Sequence, residues 1–258
     1  MVTLDQILTA YPENLRAFRE SVLKEYLQYK ILNSIFNSKY SNKLVFLGGT
    51  ALRIVYGNTR FSEDLDFDNL GLSKTEFIDL SEIVKRDLTL EGLEVEIKTI
   101  TKNAYRIKIR IPKLLFDSGL SGMSEHKILI QIDTVPQNFE YTPDKPLLNK
   151  FDVFTQINAV PKDLLLAQKI YAAVNRKRIM GRDFFDIVFL CGLGAKPNFA
   201  YLKKNIGIDN QKDLKKYLLE KISSLNFEDL ARDIEPLLLD PRDKKKVMLF
   251  REFVEQNF

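Results

Sequence analysis

Leu44-Val45-Phe46-Leu47-Gly48-Gly49-Thr50-Ala51-Leu52-Arg53-Ile54-Val55-Tyr56-Gly57-Asn58 runs into Thr59-Arg60-Phe61-Ser62-Glu63-Asp64-Leu65-Asp66-Phe67. It reads as a buried strand, a two-glycine turn, a short helix over 50–56 stopped by Gly57-Asn58, a loop, and a second strand. Residues two apart on a strand point to the same face. Asp64 and Asp66 therefore share a face, while Leu65 and Phe67 turn to the core. Two carboxylates so placed repel each other unless a cation lies between them. Oxygen donors suit a hard divalent ion, magnesium or manganese.

The glycines fit the same chemistry. Gly48-Gly49 follows an apolar strand and opens a helix at Thr50. Glycine lets backbone approach a ligand closely, and helix N-termini attract phosphate. A phosphate turn beside paired carboxylates implies a nucleoside triphosphate with its metal. Alone, Gly-Gly fits any tight turn, and Asp-x-Asp fits an edge strand with a solvated face; the two in this order point to chemistry. The P-loop ending, the dinucleotide Gly-x-Gly-x-x-Gly and the kinase His-Arg-Asp loop are absent.

The 258 residues carry a net charge of +4, with one cysteine and one histidine. That excludes a disulfide framework and argues against a Ser-His-Asp triad or a multi-histidine metal site. Cys191 lies in an apolar run and reads as a buried small hydrophobe; His126 reads as a loop residue. The mild positive charge suits a polyanionic partner. The start, Met1-Val2-Thr3-Leu4-Asp5, lacks a leader's basic-then-apolar pattern, and no apolar run reaches membrane-spanning length. The expected compartment is the cytoplasm, with no membrane partner.

Outward from the glycine turn, residues 13–37 carry apolar positions at helical spacing and predict a core helix. Ser73-Lys74-Thr75-Glu76 predicts a capping box opening a helix over 73–90. Three alternating runs, 93–101, 105–111 and 127–135, predict strands, with 116–124 a loop between the second and third. Asp133 ends the third run. It is either turn chemistry before Pro136 or a third metal carboxylate; Glu96 and Lys108 on the earlier strands are further candidates. Residues 136–160 read as loop. The organisation changes near 154–161, and the rest is helical.

Pro161 to Arg178 forms a second helical signature. Leu164, Ala167, Tyr171 and Val174 make an apolar stripe, with Lys169 and Arg176 on the other side and small Ala172 and Ala173 between them. Gly181-Arg182-Asp183-Phe184-Phe185-Asp186 follows, its two aspartates on one helix face; Asp183 could also simply stabilise the helix start. Arg60 has two readings, a phosphate contact or a surface pair with Glu63. Asp240-Pro241-Arg242-Asp243-Lys244-Lys245-Lys246 is a basic run that touches RNA or starts a solvated helix.

Gly48-Gly49-Thr50-Ala51-Leu52, Arg60-Phe61-Ser62-Glu63-Asp64-Leu65-Asp66-Phe67, and Lys169 with Arg176 and Arg182-Asp183-x-x-Asp186 resemble the AbiEii/AbiGii toxin family of bacterial nucleotidyltransferases (MenT-like, type IV toxin–antitoxin). That family belongs to the DNA polymerase β-like superfamily. The resemblance implies an α/β (α+β) fold with a mixed sheet, a catalytic domain over 1–155, and a helical domain over 156–258 that completes the nucleotide site. It implies that Asp64, Asp66 and Asp133 bind metal. Gly48, Gly49, Thr50, Ser62, Lys169, Arg176, Arg182 and Asp183 would bind nucleotide, with Lys169 also catalytic. It further implies transfer of a nucleoside monophosphate to tRNA 3′ ends, blocked translation, and a separately encoded antitoxin as partner. The alternatives are an aminoglycoside-type nucleotidyltransferase and a catalytically silent RNA-binding module.

Overall fold

The computed structural model describes residues 2–102 and 104–258. In chain order it runs α1 (Leu4–Thr9), α2 (Arg19–Phe36), β1 (Leu44–Leu47), α3 (Gly48–Tyr56), β2 (Leu65–Asn69), α4 (Lys74–Leu90), β3 (Glu96–Ile100), β4 (Tyr105–Ile111), α5 (Leu114–Asp117), β5 (Ile128–Val135), β6 (Leu147–Lys150) and β7 (Val153–Gln156). The helices α6 (Lys162–Asn175), α7 (Gly181–Gly192), α8 (Phe199–Ile206), α9 (Gln211–Ile222), α10 (Phe227–Ile234), α11 (Lys245–Met248) and α12 (Phe250–Asn257) follow. Two compact units result. One is the chain up to Ala51 with Ser62–Ala159; the other is Leu52–Phe61 with Val160–Phe258. The second half of α3 and the loop after it thus count with the helical unit.

In the first unit the strands stand in the order β1-β2-β5-β4-β3. β2 and β5 pair in parallel and the other neighbours antiparallel, so the sheet is mixed. Alternation sets its two faces. Leu65, Phe67, Ile107, Ile109, Ile111, Ile128, Ile130 and Ile132 are all buried, and α2 and α4 pack on the sheet. Thr99 on β3 donates from Oγ1 to Ser81 Oγ of α4 at 2.9 Å, which fixes that strand's core side. The opposite face carries Asp66, Arg106, Lys108, Gln131 and Asp133.

Helix α2 is buried nearly all round, the expected pattern for a helix inside a core. Several of its buried polar groups are paired, as burial favours. Gln28 Nε2 donates to the carbonyls of Ser62 and Glu63, each at 2.9 Å, and so holds the loop before the acidic strand. Glu25 accepts from Lys150 Nζ at 2.8 Å and Tyr11 Oη at 2.7 Å. Helix α4 begins on Ser73 with the expected reciprocal capping box.

Three expectations need correcting. The helix expected over 13–37 starts only at Arg19; residues 13–15 form a 3₁₀ turn after Pro12. The loop expected over 116–124 begins only after Asp117: one helical turn, α5, entered through Lys113 at φ 61°, covers residues 114–117. The stretch 136–160 contains the β6–β7 hairpin. Its tight turn uses Phe151 at φ 58°, where glycine or asparagine would ordinarily signal a turn.

The second unit is helical. Phe184 of α7 makes edge-on contacts with Phe227 and Phe250, at centroid separations of 5.4 and 4.8 Å. Gly181 lets α7 approach α10: a Cβ there would lie 1.9 Å from the Leu230 carbonyl oxygen. Among the described residues no helix is long and apolar enough to cross a membrane.

Candidate active site

Strand β1 ends at Leu47 directly opposite Asp66 of β2, and the chain turns into α3 at Gly48. Gly48 has φ +84°, a conformation that side chains disfavour. Any Cβ there would stand 2.4 Å from Asp66 Oδ2. The start of the helix and the Asp66 carboxylate therefore share one spot, and glycine makes room for both. Thr50, expected to bind nucleotide, is buried, and its hydroxyl donates to the Asp64 carbonyl oxygen. It ties the helix to the start of the acidic strand. Asp64 precedes the strand and is exposed; Asp66 is half-buried, and Ser62 is half-buried in the loop held by Gln28.

Asp133 of β5 lies beside Asp66 in the parallel register of β2 and β5. The structure thus brings the third expected acid to the same face. Its oxygens are engaged: Arg106 donates from Nε to Oδ1 at 2.5 Å and from Nη2 to Oδ2 at 3.3 Å, and Gln131 Nε2 donates to Oδ2 at 2.7 Å. The Arg106 guanidinium is held charged first by its bond to Asp133, then, against the cost of partial burial, by the fields of Asp133, Asp64 and Asp66. A cation facing all three carboxylates is thus part of the chain itself. Among the described residues no three acidic, histidine or cysteine side chains form a ready metal cluster. The Asp64–Asp66 pair, with hard oxygen donors, fits a divalent ion; Asp133 would first have to leave Arg106.

One further acid was missed. Asp68 continues the Asp64–Asp66 alternation but is buried, accepting from the Gln137 backbone N–H and from Tyr141 Oη, both at 2.8 Å. Burial and that bond push the Tyr141 hydroxyl well above its usual range. Asp68 anchors the segment after β5; the Asp-x-Asp-x-Asp spacing was its signal.

In the second unit, Lys169 of α6 reaches Asp183 Oδ1 at 3.0 Å and Asp186 Oδ2 at 2.8 Å. The two aspartates share a face of α7, as their spacing predicts. Arg60 corrects both of its readings. It is 1% exposed, and it donates to Asp186 from Nε at 2.8 Å and from Nη2 at 2.6 Å. Asn58 Nδ2 adds a third donor at 2.8 Å. Burial alone would raise the Asp186 carboxyl, but Arg60 and Lys169 outweigh it and hold it at about 2. Burial likewise works against the Lys169 ammonium, and Asp186 and Asp183 more than reverse that.

Arg176, expected on the helix opposite the apolar stripe, is the residue capping α6, with extended backbone. From there Nη1 reaches Asp183 Oδ2 at 2.9 Å. The stripe itself is rotated: Ile170 and Ala173 are buried, while Tyr171 and Val174 are only half-buried. Arg182 is half-buried on α7. Cys191 is half-buried, and burial raises its thiol to about 12; His126 stands in an exposed loop with Nδ1 3.0 Å from Ser121 Oγ.

A profile of the family described as "Nucleotidyl transferase AbiEii toxin, Type IV TA system" matches residues 30–253. Two crystal structures from Helicobacter pylori share the fold. JHP933 aligns with TM-score 0.54 at 19% identity, over 92% of each chain. A candidate nucleotidyltransferase aligns with TM-score 0.56 at 18% identity, over 92% of this chain and 95% of its own. No curated protein matches the chain.

Proposed function

The chain belongs to the AbiEii family of nucleotidyl transferase toxins of type IV toxin–antitoxin systems, and from that premise we propose that it transfers a nucleoside monophosphate from a nucleoside triphosphate to the 3′ end of an RNA, tRNA in the first place. It is a nucleotidyl-transfer enzyme of the α/β class. In the proposed reaction an acceptor hydroxyl oxygen bonds to the α-phosphorus, the bond from that phosphorus to the bridging oxygen breaks, and pyrophosphate leaves as the hydroxyl proton is lost. Capped tRNA ends would stop translation, and a cognate antitoxin in the same cytoplasm would hold the toxin in check.

The close approach of Gly48, at the start of α3, to the Asp66 carboxylate is the observation that carries this reading. It supports a triphosphate at the start of α3, received by backbone groups of Gly48 and Gly49. Asp64 and Asp66 would hold a magnesium or manganese ion, which supplies charge neutralisation for the phosphates and an activated acceptor oxygen. Thr50 positions Asp64 through its carbonyl, and Ser62 lies in the loop that Gln28 fixes. In the helical unit, Lys169 has three donors and keeps one beyond Asp183 and Asp186 for a phosphate oxygen. Arg182 is a second phosphate contact, whereas Asp183 holds Lys169 in place and Arg176 braces Asp183.

Purified protein incubated with magnesium, total tRNA and each labelled triphosphate in turn tests this. Labelled tRNA that requires both Asp64 and Asp66 is the expected result. Labelling of an aminoglycoside with every RNA unlabelled would replace it with the small-molecule enzyme, and RNA binding without any transfer with the silent module.

A further inference from the structure

The open face of the sheet is not uniformly acidic. On β4, Ile107, Ile109 and Ile111 are buried, which turns Arg106, Lys108 and Arg110 to the other side. Lys98 of β3 stands directly opposite Lys108, and Gln131 of β5 stands opposite Lys108 on its other side. Thr99 bonds to α4, so Lys98 faces away from the core. Lys98 is exposed, and Lys108 and Arg110 are half-buried. Glu96, opposite Arg110, instead accepts from Lys127 Nζ at 2.6 Å. Among the described residues neither Lys98, Lys108 nor Arg110 forms an ion pair. Like charges directly across an antiparallel ladder destabilise a sheet, so the free protein keeps an unfavourable lysine pair on display.

The position of this pair gives the cost a use. Arg106, two residues from Lys108 along β4, pairs across to Asp133, which in turn neighbours Asp66. With about 3.4 Å per residue and about 4.8 Å between strands, the backbone of the lysine pair stands roughly 12–16 Å from that of Asp66. An RNA that brings its end to Asp64 and Asp66 carries phosphates towards two carboxylates, and that repulsion needs cations beside them. Phosphate contacts position a nucleic acid without reading its sequence. Resting on the transferase reading above, we propose that Lys98, Lys108 and Arg110 form the track along which the phosphodiester backbone of the acceptor RNA lies on its way to the acidic pair.

The test uses full-length protein, deacylated tRNA and filter binding between about 50 and 200 mM salt. Each lost phosphate contact lowers the log–log salt slope by about one. Lys98→Gln with Lys108→Gln should lower it by about two and weaken tRNA binding roughly ten-fold or more at the lowest salt. Lys98→Arg with Lys108→Arg should keep both near the parent values. The double Gln variant should melt no lower than the parent, because a repulsive pair has gone. Parent-like tRNA affinity and slope in the double Gln variant would overturn the proposal, and labelled tRNA from the parent would leave the transferase reading standing. If the parent labels no RNA yet shows the lysine-dependent slope, the track stands and the transferase reading falls. Loss of poly-glutamate binding with tRNA binding intact would make this an acidic-protein surface and overturn the RNA track.

Discussion

Arg106 on β4 donates to both oxygens of Asp133 on β5, at 2.5 and 3.3 Å, straight across the ladder whose next position is Asp66. Asp133 is thus tied to a guanidinium on the face it shares with Asp66. Asp64→Asn and Asp66→Asn should each lower nucleotide transfer by a thousand-fold or more without lowering the melting temperature. Asp133→Asn keeps Gln131 and Arg106 as neighbours and should cost only about ten-fold. Single-turnover rates of the three variants decide the matter. A loss for Asp133→Asn equal to that for Asp66→Asn would return it to the role of third metal ligand.

Gly48 offers a second separation, between backbone strain and crowding at the carboxylate. Gly48→Ala pays the left-handed φ of +84° and drives a methyl to 2.4 Å from Asp66 Oδ2. Gly57 has a comparable φ of +75° with nothing within 4 Å. Both changes to alanine should cost about 1–2 kcal/mol of stability. Only Gly48→Ala should also lower transfer, by ten-fold or more. Equal activity losses in the two variants, measured on folded protein, would remove the Gly48–Asp66 approach from the mechanism.

The first unit was legible because its pattern is local. Asp64-Leu65-Asp66-Phe67 alternates on a strand, Ser73 and Glu76 form their capping box, and the isoleucines of β4 and β5 mark a one-sided sheet. What escaped was non-local. Arg60 stands three residues before Glu63, yet its guanidinium is spent on Asp186, 126 residues away. Nothing in the spacing around Arg60 announces that partner. Lys169 and Arg176 were placed by helical periodicity, but α6 stops at Asn175, so Arg176 leaves the helix and folds back on Asp183. The Phe151 turn hid a hairpin for a similar reason: the residue that usually advertises such a turn is absent.

Lys169 is both a scaffold and a candidate ligand, and the two roles predict different losses. Lys169→Met leaves Asp183 with Arg176 and Asp186 with Arg60, so the variant should fold while melting several degrees lower. Loss of one charge-assisted bond to a phosphate should weaken triphosphate binding about ten- to a hundred-fold. Fluorescent-nucleotide titration of the folded variant measures this. Parent-like affinity would confine Lys169 to holding α6 against α7.

The Arg60–Asp186 pair gives the molecule an acid dependence whose sign is fixed. Removing one partner of a buried pair leaves the other charge uncompensated, so Arg60→Met should cost about 3–5 kcal/mol. In the folded state Asp186 titrates at about 2, below the roughly 3.9 of an unfolded chain. As pH falls, the unfolded chain takes up this proton first, so the contribution is complete above about pH 5 and is lost between about pH 4 and 2. Arg60→Lys keeps the charge but gives up the two-pronged bond, so the folded carboxyl should titrate higher: the loss still sets in near pH 4, where the unfolded chain takes up its proton, but it is smaller and ends at less acid pH. Urea unfolding midpoints followed from neutral to about pH 3 check this. Curves for Arg60→Lys and the parent that stay parallel through the acid limb would show that Asp186 does not control it.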